Sequence, residues 1–319
     1  MTNNRLDSVA PLRAFPALAR ALLTALCFAL AMLSNVAAAA PFSQLWVFGG
    51  PLEDMGNYAS VFGDLPEPFY QNRFSNGPLA IETLAAQLGF TMTPSLHRVG
   101  PAQGNNFSSA DGLASGTEPQ DLHGQIDAYF AMTGDRADSR ALYYLIIGGN
   151  EVIRATFETD DAAARALIKA AVDAKERAIK RLADKGAKTF LVANFVEIGF
   201  APLIREAGLS ARGDQMAQLH NAMMERMLDS LERRRNNIQL IRHDWAGWVK
   251  DVVKSADRLR FTNTTESCLA KLPLGQCDFD HFIFFNETFP SGRVHQLWGY
   301  TLVDEVVRSR DRLPRHHHD

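Results

Sequence analysis

Short apolar runs along this chain end at glycines: Gln44 to Phe48 precedes Gly49-Gly50, and Ala141 to Ile147 precedes Gly148-Gly149. Continuous apolar segments of this length, without polar alternation, predict strands buried on both faces. Lys188 to Ala193 and Asn237 to Arg242 are the next two strands expected. Between them the period changes. Residues 161–185 repeat apolar positions at Ile168, Val172, Ile179 and Leu182 and stop at Gly186, the spacing of one helix face followed by a C-terminal glycine. Asp214 to about Arg234 places Met216, Leu219, Met223, Met227 and Leu231 on a second helical face. That methionine stripe reads as packing against a sheet rather than as a lipid-binding surface. Asn76-Gly77-Pro78 predicts the start of a helix through Leu88, with the asparagine as its cap, and Ser291 predicts the cap of a last helix to about Arg308. Strands alternating with helices in this order predict a parallel sheet covered on both faces.

The N-terminal residues stand apart from this pattern. Arg5, Arg13 and Arg20 precede an apolar run from Ala21 to Leu33, and small residues follow up to Ala40. This is the layout of a secretory signal, with cleavage expected between Ala39 and Ala40. The run is too short for a comfortable membrane span, and Leu26 before Cys27 is the wrong context for a lipoprotein signal. Residues 1–39 hold three arginines against one aspartate, so their removal takes the formal net charge from −3 to −5. Mild acidity argues against nucleic acid or an anionic membrane surface as a partner. Residues 40–319 then suffice for one α/β domain. Cys268 and Cys277 remain after cleavage, and an even pair in an oxidising compartment predicts a disulfide, two free buried thiols being the alternative.

The stretch Phe48-Gly49-Gly50-Pro51-Leu52-Glu53-Asp54-Met55-Gly56-Asn57 resembles the Phe-Gly-Asp-Ser-Leu-Ser-Asp-x-Gly-Asn signature of the GDSL (SGNH) ester hydrolases, with proline where the serine belongs. Further segments are similar to that family: Arg73-Phe74-Ser75-Asn76-Gly77-Pro78, Asn106-Phe107-Ser108-Ser109, Ile147-Gly148-Gly149-Asn150-Glu151, Asn194 to Pro202, and Phe261 to Thr265 with Cys268. The resemblance therefore covers nearly the whole chain after the signal. It implies a flavodoxin-like three-layer α/β/α sandwich with a central parallel sheet of about five strands, and a site at the carboxyl ends of those strands.

The resemblance also locates a missing triad. In active members a serine attacks the ester, and a late Asp-x-x-His supplies the base and the carboxylate that orients it. The matching segment here is Asn286-Glu287-Thr288-Phe289. Pro51 offers neither hydroxyl nor N–H, Phe289 accepts no proton, and Asn286 does not stabilise an imidazolium. Of the implied oxyanion donors, the nucleophile's N–H is lost at Pro51, the glycine position falls at Asp111 or Gly112, and the asparagine is present as Asn150.

Neighbouring residues offer two replacement chemistries. Ser60, Ser108, Ser109 and Ser115 with His123 or His295 would be a relocated nucleophile and base, and Glu53, Asp54, Glu151 and Glu287 an acid/base pair. Structural roles are the commoner reading of both sets. His316, His317 and His318 at the chain end read as incidental rather than as metal ligands, as do three glycosylation-like triplets at Asn106, Asn263 and Asn286. The expectation is thus an exported, periplasmic or extracellular protein without cofactor or metal. It would bind an acyl-ester, lipid or carbohydrate ligand, or a protein partner, through the former active site. The alternative is an ester hydrolase acting through relocated residues.

Overall fold

Strands β1 (Leu45–Gly49), β2 (Leu142–Ile146), β3 (Thr189–Ala193) and β4 (Gln239–His243) pair in that order, all parallel. The computed structural model describes residues 42–311, and the expected signal segment 1–39 and the terminal histidines lie outside them. The four strands are the four read from the apolar runs. On the free side of β1, Val47 makes one further parallel bridge, to Asn106. The sheet expected to hold about five strands is therefore four strands with a single bridge at the fifth position. Backbone bonds run along that edge, the Val47 N–H donating to the Asn105 carbonyl, the Phe107 N–H to Val47 and the Ser109 N–H to Gly49, while the Asn106 Oδ1 accepts locally from the Ser108 N–H at 2.9 Å.

Alternation along β2 explains the layers. Tyr143, Leu145 and Ile147 face one way and pack with α3 (Leu122–Thr133), α5 (Asp161–Asp184) and α7 (Ser210–Arg234). Leu142, Tyr144 and Ile146 face the other way and pack with α2 (Ala80–Gln87), α8 (Trp245–Lys254) and α10 (Gly292–Asp311). Period-two side-chain direction in a strand buried on both faces thus yields the three-layer sandwich. On α7, Met216, Met227 and Leu231 are buried, and Leu219 and Met223 pack against the core clusters, so the methionine stripe is core. Helices α1 (Ala59–Phe62), α4 (Gly149–Phe157), α6 (Pro202–Glu206) and α9 (Cys268–Lys271), with the small parallel pair β5 (Asn263–Ser267) and β6 (Phe282–Phe284), complete the frame around the carboxyl ends of the sheet. Among the described residues no helix is long and apolar enough to cross a membrane.

Two helix starts differ from the sequence expectation. Helix α2 begins at Ala80, and the Leu79 N–H is met by Glu82 Oε2 at 2.8 Å. Asn76 serves the other end of the chain instead, its Oδ1 accepting from the Gly292 N–H of α10 at 2.9 Å. The Ser291 hydroxyl, expected to cap α10, makes no hydrogen bond. The swap follows from close approach: a Cβ on Gly292 would sit 2.8 Å from the Gly77 Cα. Two glycines in backbone contact bring Asn76 over the α10 terminus, which a sequence window cannot see.

Candidate functional site

The first motif leaves the end of β1 as a clamped turn. Gln125 on α3 grips Gly49 from both sides, its Oε1 accepting from the Gly49 N–H at 2.9 Å and its Nε2 donating to the Gly49 carbonyl at 2.8 Å. Asp54 holds the loop that follows, accepting from the N–H groups of Gly56, Asn57, Tyr58 and Ala110 at 2.7–3.0 Å. Burial pushes its pKa up to about 6, against the pull of those four donors. Asn57 ties the same loop to the sheet edge through Nδ2 bonds to the Asn106 and Ser108 carbonyls at 2.9 and 2.8 Å. The turn carrying Pro51 is therefore built as rigidly as a nucleophile would need.

Pro51, Gly112, Asn150 and Phe289 all line one apolar cavity at the carboxyl ends of the strands. Its walls come from the β2–α4 turn (Gly148, Gly149), from Phe195, Ile198, Phe200 and Ile204, from Trp245, Trp248 and Val252, and from Ile283, Phe284 and Val294. The room open to the centres of water-sized molecules is about 90 Å³. No lysine, arginine or histidine side chain is part of the lining, and its polar members are Glu53, Asn150 and Thr288.

The late motif is folded for structure. Asn286 Oδ1 accepts from the N–H groups of Thr288 and Phe289 at 2.9 and 2.7 Å, a local turn that replaces the work of an orienting carboxylate. Phe289 packs edge-on against Phe74 with ring centroids 5.4 Å apart, and Phe74 meets Phe69 and Tyr58 in turn. The base position is thus one member of an aromatic cluster. The strand-side loop is stapled by Cys268–Cys277, whose Cα atoms are 4.9 Å apart.

The oxyanion donors implied by the family resemblance are all absent or engaged. Pro51 has no N–H. The Gly112 N–H donates to the Ser109 carbonyl at 2.9 Å. Asn150 spends its amide on the carbonyls of Ala110 and Gly112, at 3.1 and 2.8 Å. Of Asp111 and Gly112, Gly112 lines the cavity, whereas Asp111 forms a two-pronged ion pair with Arg98 at 2.9 and 3.0 Å.

Nor do the candidate replacements assemble. Ser60 donates to the Asn57 carbonyl, Ser109 to Asp111, Ser115 to Glu151, and the Ser108 hydroxyl is buried without a partner. His295 accepts the Ala80 N–H through Nδ1, and His123 Nε2 is unpartnered. A Ser–His pair that sequence reasoning missed does occur: Ser95 Oγ lies 2.6 Å from His97 Nδ1, while His97 Nε2 lies 3.0 Å from the Pro119 carbonyl. Because that carbonyl only accepts, Nε2 carries the proton and Nδ1 receives the serine O–H. Ser95 is fully buried and does not line the cavity, so the pair ties loops together.

Charge around the cavity is concentrated at one end. Gly148, Gly149 and Asn150 open α4 toward it, and the N–H groups of Gly149, Asn150 and Glu151 have no acceptor among the described residues. Behind Gly148 lies a buried group: Lys175 Nζ is 3.1 Å from His220 Nε2, and Glu151 Oε1 accepts from Ser115. Burial lowers Lys175 to about 8, with the Glu151 charge opposing that shift, and lowers His220 to about 3. The Lys175 ammonium lies directly behind the cavity wall, 3.3 Å from where a Cβ on Gly148 would stand. The helix terminus adds a positive influence worth about 0.3–2 kcal/mol to an anion. Stripping water from a carboxylate costs several kcal/mol, so this terminus alone does not hold one. Glu53 adds to the imbalance. Both of its oxygens and the nearby Tyr144 hydroxyl lack hydrogen bonds of good geometry, and burial raises the Glu53 pKa well above the carboxylate range.

Comparison with known proteins gives the kinship of the chain. The model of the GDSL-like Lipase/Acylhydrolase family matches residues 46–299. The chain belongs to that family. It is similar to the phosphatidylcholine-sterol acyltransferase of Aeromonas hydrophila, 27% identical over 188 residues covering 57% of this chain and 53% of that protein. It is also similar to Lipase 1 of Photorhabdus luminescens, 26% identical over 193 residues covering 59% of this chain and 28% of the relative. The matched part thus spans about half of the first relative and about a quarter of the second. Family membership fixes the ancestry of the site, and its present chemistry rests on the residues now in it.

Proposed function

We propose that this GDSL-family protein is an exported binding protein that has lost ester hydrolysis and uses the former active-site cavity to hold a lipid-like ligand. The observation that carries this reading is Pro51 on the cavity wall at the nucleophile position, with Phe289 on the same wall at the position of the base. Removing a serine-hydrolase triad lowers turnover on the order of 10⁶-fold, and what remains, roughly 10³–10⁴ over water, comes from the oxyanion hole and binding. Here the donors that would supply that remainder are committed to protein carbonyls. Export is carried by the basic, then apolar, then small-residue order of residues 1–39. The names of the two relatives speak of a lipase and of acyl transfer between phosphatidylcholine and sterol. An apolar cavity fits the chain of such a lipid without requiring its cleavage.

The experiment is hydrolysis of p-nitrophenyl acetate and butyrate by the purified protein lacking residues 1–39. The expected rate equals that of a heat-treated sample. A saturable rate above it would favour the ester-hydrolase alternative.

A further inference from the structure

A second, polar groove opens where α2 and α10 begin, with about 480 Å³ of room for the centres of water-sized molecules. It shares no lining residue with the apolar cavity at the carboxyl ends of the strands. Its polar lining comes from Asn76, Thr83, Asp280, Arg293 and Gln296. We propose that this groove binds a neutral pyranose sugar, free or as the end of a glycan.

The groove is built before any ligand arrives. Gly77 and Gly292 line it in backbone contact, so neither carries a side chain that would cover the polar groups beside it. Asn76 Oδ1 accepts from the Gly292 N–H at 2.9 Å, which fixes the amide and leaves its Nδ2 hydrogens without an acceptor among the described residues. Arg293 is fixed as well: its Nη1 and Nη2 donate to the carbonyls of Asp280 and Leu259, both at 2.6 Å, and its guanidinium lies 5.0 Å from the Phe261 ring centre. That first bond holds the Asp280 backbone, while the Asp280 carboxylate has no ion pair or hydrogen bond among the described residues. The Thr83 hydroxyl and the Gln296 amide are likewise uncommitted there. Amide donors, a hydroxyl and a carboxylate thus stand together with their hydrogen bonds unspent. Sugar hydroxyls each donate and accept, so they match such a mixed set. Charge narrows the choice further. One carboxylate and one guanidinium leave the lining formally neutral, so an anion is opposed by Asp280 and a cation by Arg293. Tyr300, half exposed, lies one turn beyond Gln296 on the same face of α10 and offers an apolar ring to a sugar face. Groups held in place beforehand lower the ordering cost of binding.

The test uses the protein lacking residues 1–39. The probes are the methyl glycosides of glucose, galactose and mannose, with N-acetylglucosamine, and ethanolamine and acetate serve as singly charged controls. Saturation-transfer NMR reads contact, and its dose dependence gives Kd. At least one sugar is expected to show saturable transfer, and the two controls none. Asp280→Ala should weaken that sugar about tenfold, as for a hydrogen bond to a charged group, and Gln296→Ala about threefold, with a cooperative melt retained in both. Thr288→Trp, which fills the apolar cavity instead, should leave the sugar's affinity unchanged. Tighter binding of a trisaccharide than of its single ring supports a glycan end as the source, and equal binding supports the free sugar. No transfer to any sugar, or transfer to ethanolamine or acetate in place of the sugars, overturns the proposal. So does a sugar affinity that survives both groove substitutions or falls with Thr288→Trp.

Discussion

Glu53 is the buried acid of the cavity wall. It follows Pro51 by two positions, stands fully buried, and has no hydrogen bond to either oxygen. In the unfolded chain its pKa is about 4.3, whereas burial holds it well above that in the native protein. Between those two values the native state binds more protons than the unfolded state. Folding stability attributable to this group therefore falls as pH rises through that window, and is greatest below it. Glu53→Gln removes the titration while keeping the shape. The variant is expected to gain stability relative to wild type progressively from pH 4 to pH 8, read as the difference in denaturation midpoint at each pH. A pH-independent difference would mean that the carboxyl finds a partner in solution. Asp54, one residue along, shows the contrast: it too is buried, yet four N–H donors anchor it.

At the scale of elements, the joint between α2 and α10 holds the late motif against the first. Asn76 caps Gly292, and the Ala80 N–H returns a bond to His295 Nδ1 at 3.3 Å, so each helix start is tied by a side chain belonging to the other's neighbourhood. Asn76→Ala is expected to cost about 0.5–2 kcal/mol, the usual worth of an N-cap. Urea denaturation would show this as a lower midpoint with unchanged slope. A loss within a few tenths of a kcal/mol would mean that water takes over the Gly292 N–H. This joint is also where sequence reading failed. Asn76 was expected to serve the helix next to it in sequence, and only the contact between Gly77 and Gly292, about 215 residues apart, redirects it. The strands were legible for the opposite reason: β1 to β3 are short, mostly apolar and mostly buried runs, a property each segment carries by itself, while the edge strand β4 is half-buried and more polar. Helices α3 and α8 carried no equally plain signal, and with α3 the Gln125 clamp on Gly49 was missed.

For the molecule as a whole, the family frame is retained around a site whose residues depart from the family's signature. The turn after β1, the Gly148-Gly149-Asn150 helix start and the late segment at Thr288 and Phe289 meet at one cavity, so the segments singled out in sequence come together in the fold. What sequence did not reveal is how the retained groups are spent. Asn150 looks like an intact oxyanion donor in a linear motif, yet its amide is bonded to two backbone carbonyls. Ser95 and His97 show the converse, a hydrogen-bonded pair with no motif to announce it and no cavity beside it.

The central claim is that no serine in this protein is activated for attack on an acyl or phosphoryl centre. It is tested most directly by incubating the protein lacking residues 1–39 with a fluorophosphonate and measuring its intact mass, because only a serine activated by a base reacts quickly. The account predicts an unchanged mass after treatment that fully labels an active GDSL hydrolase run in parallel. A stoichiometric adduct mapped by peptide sequencing to Ser95, Ser108, Ser109 or any other serine would contradict it.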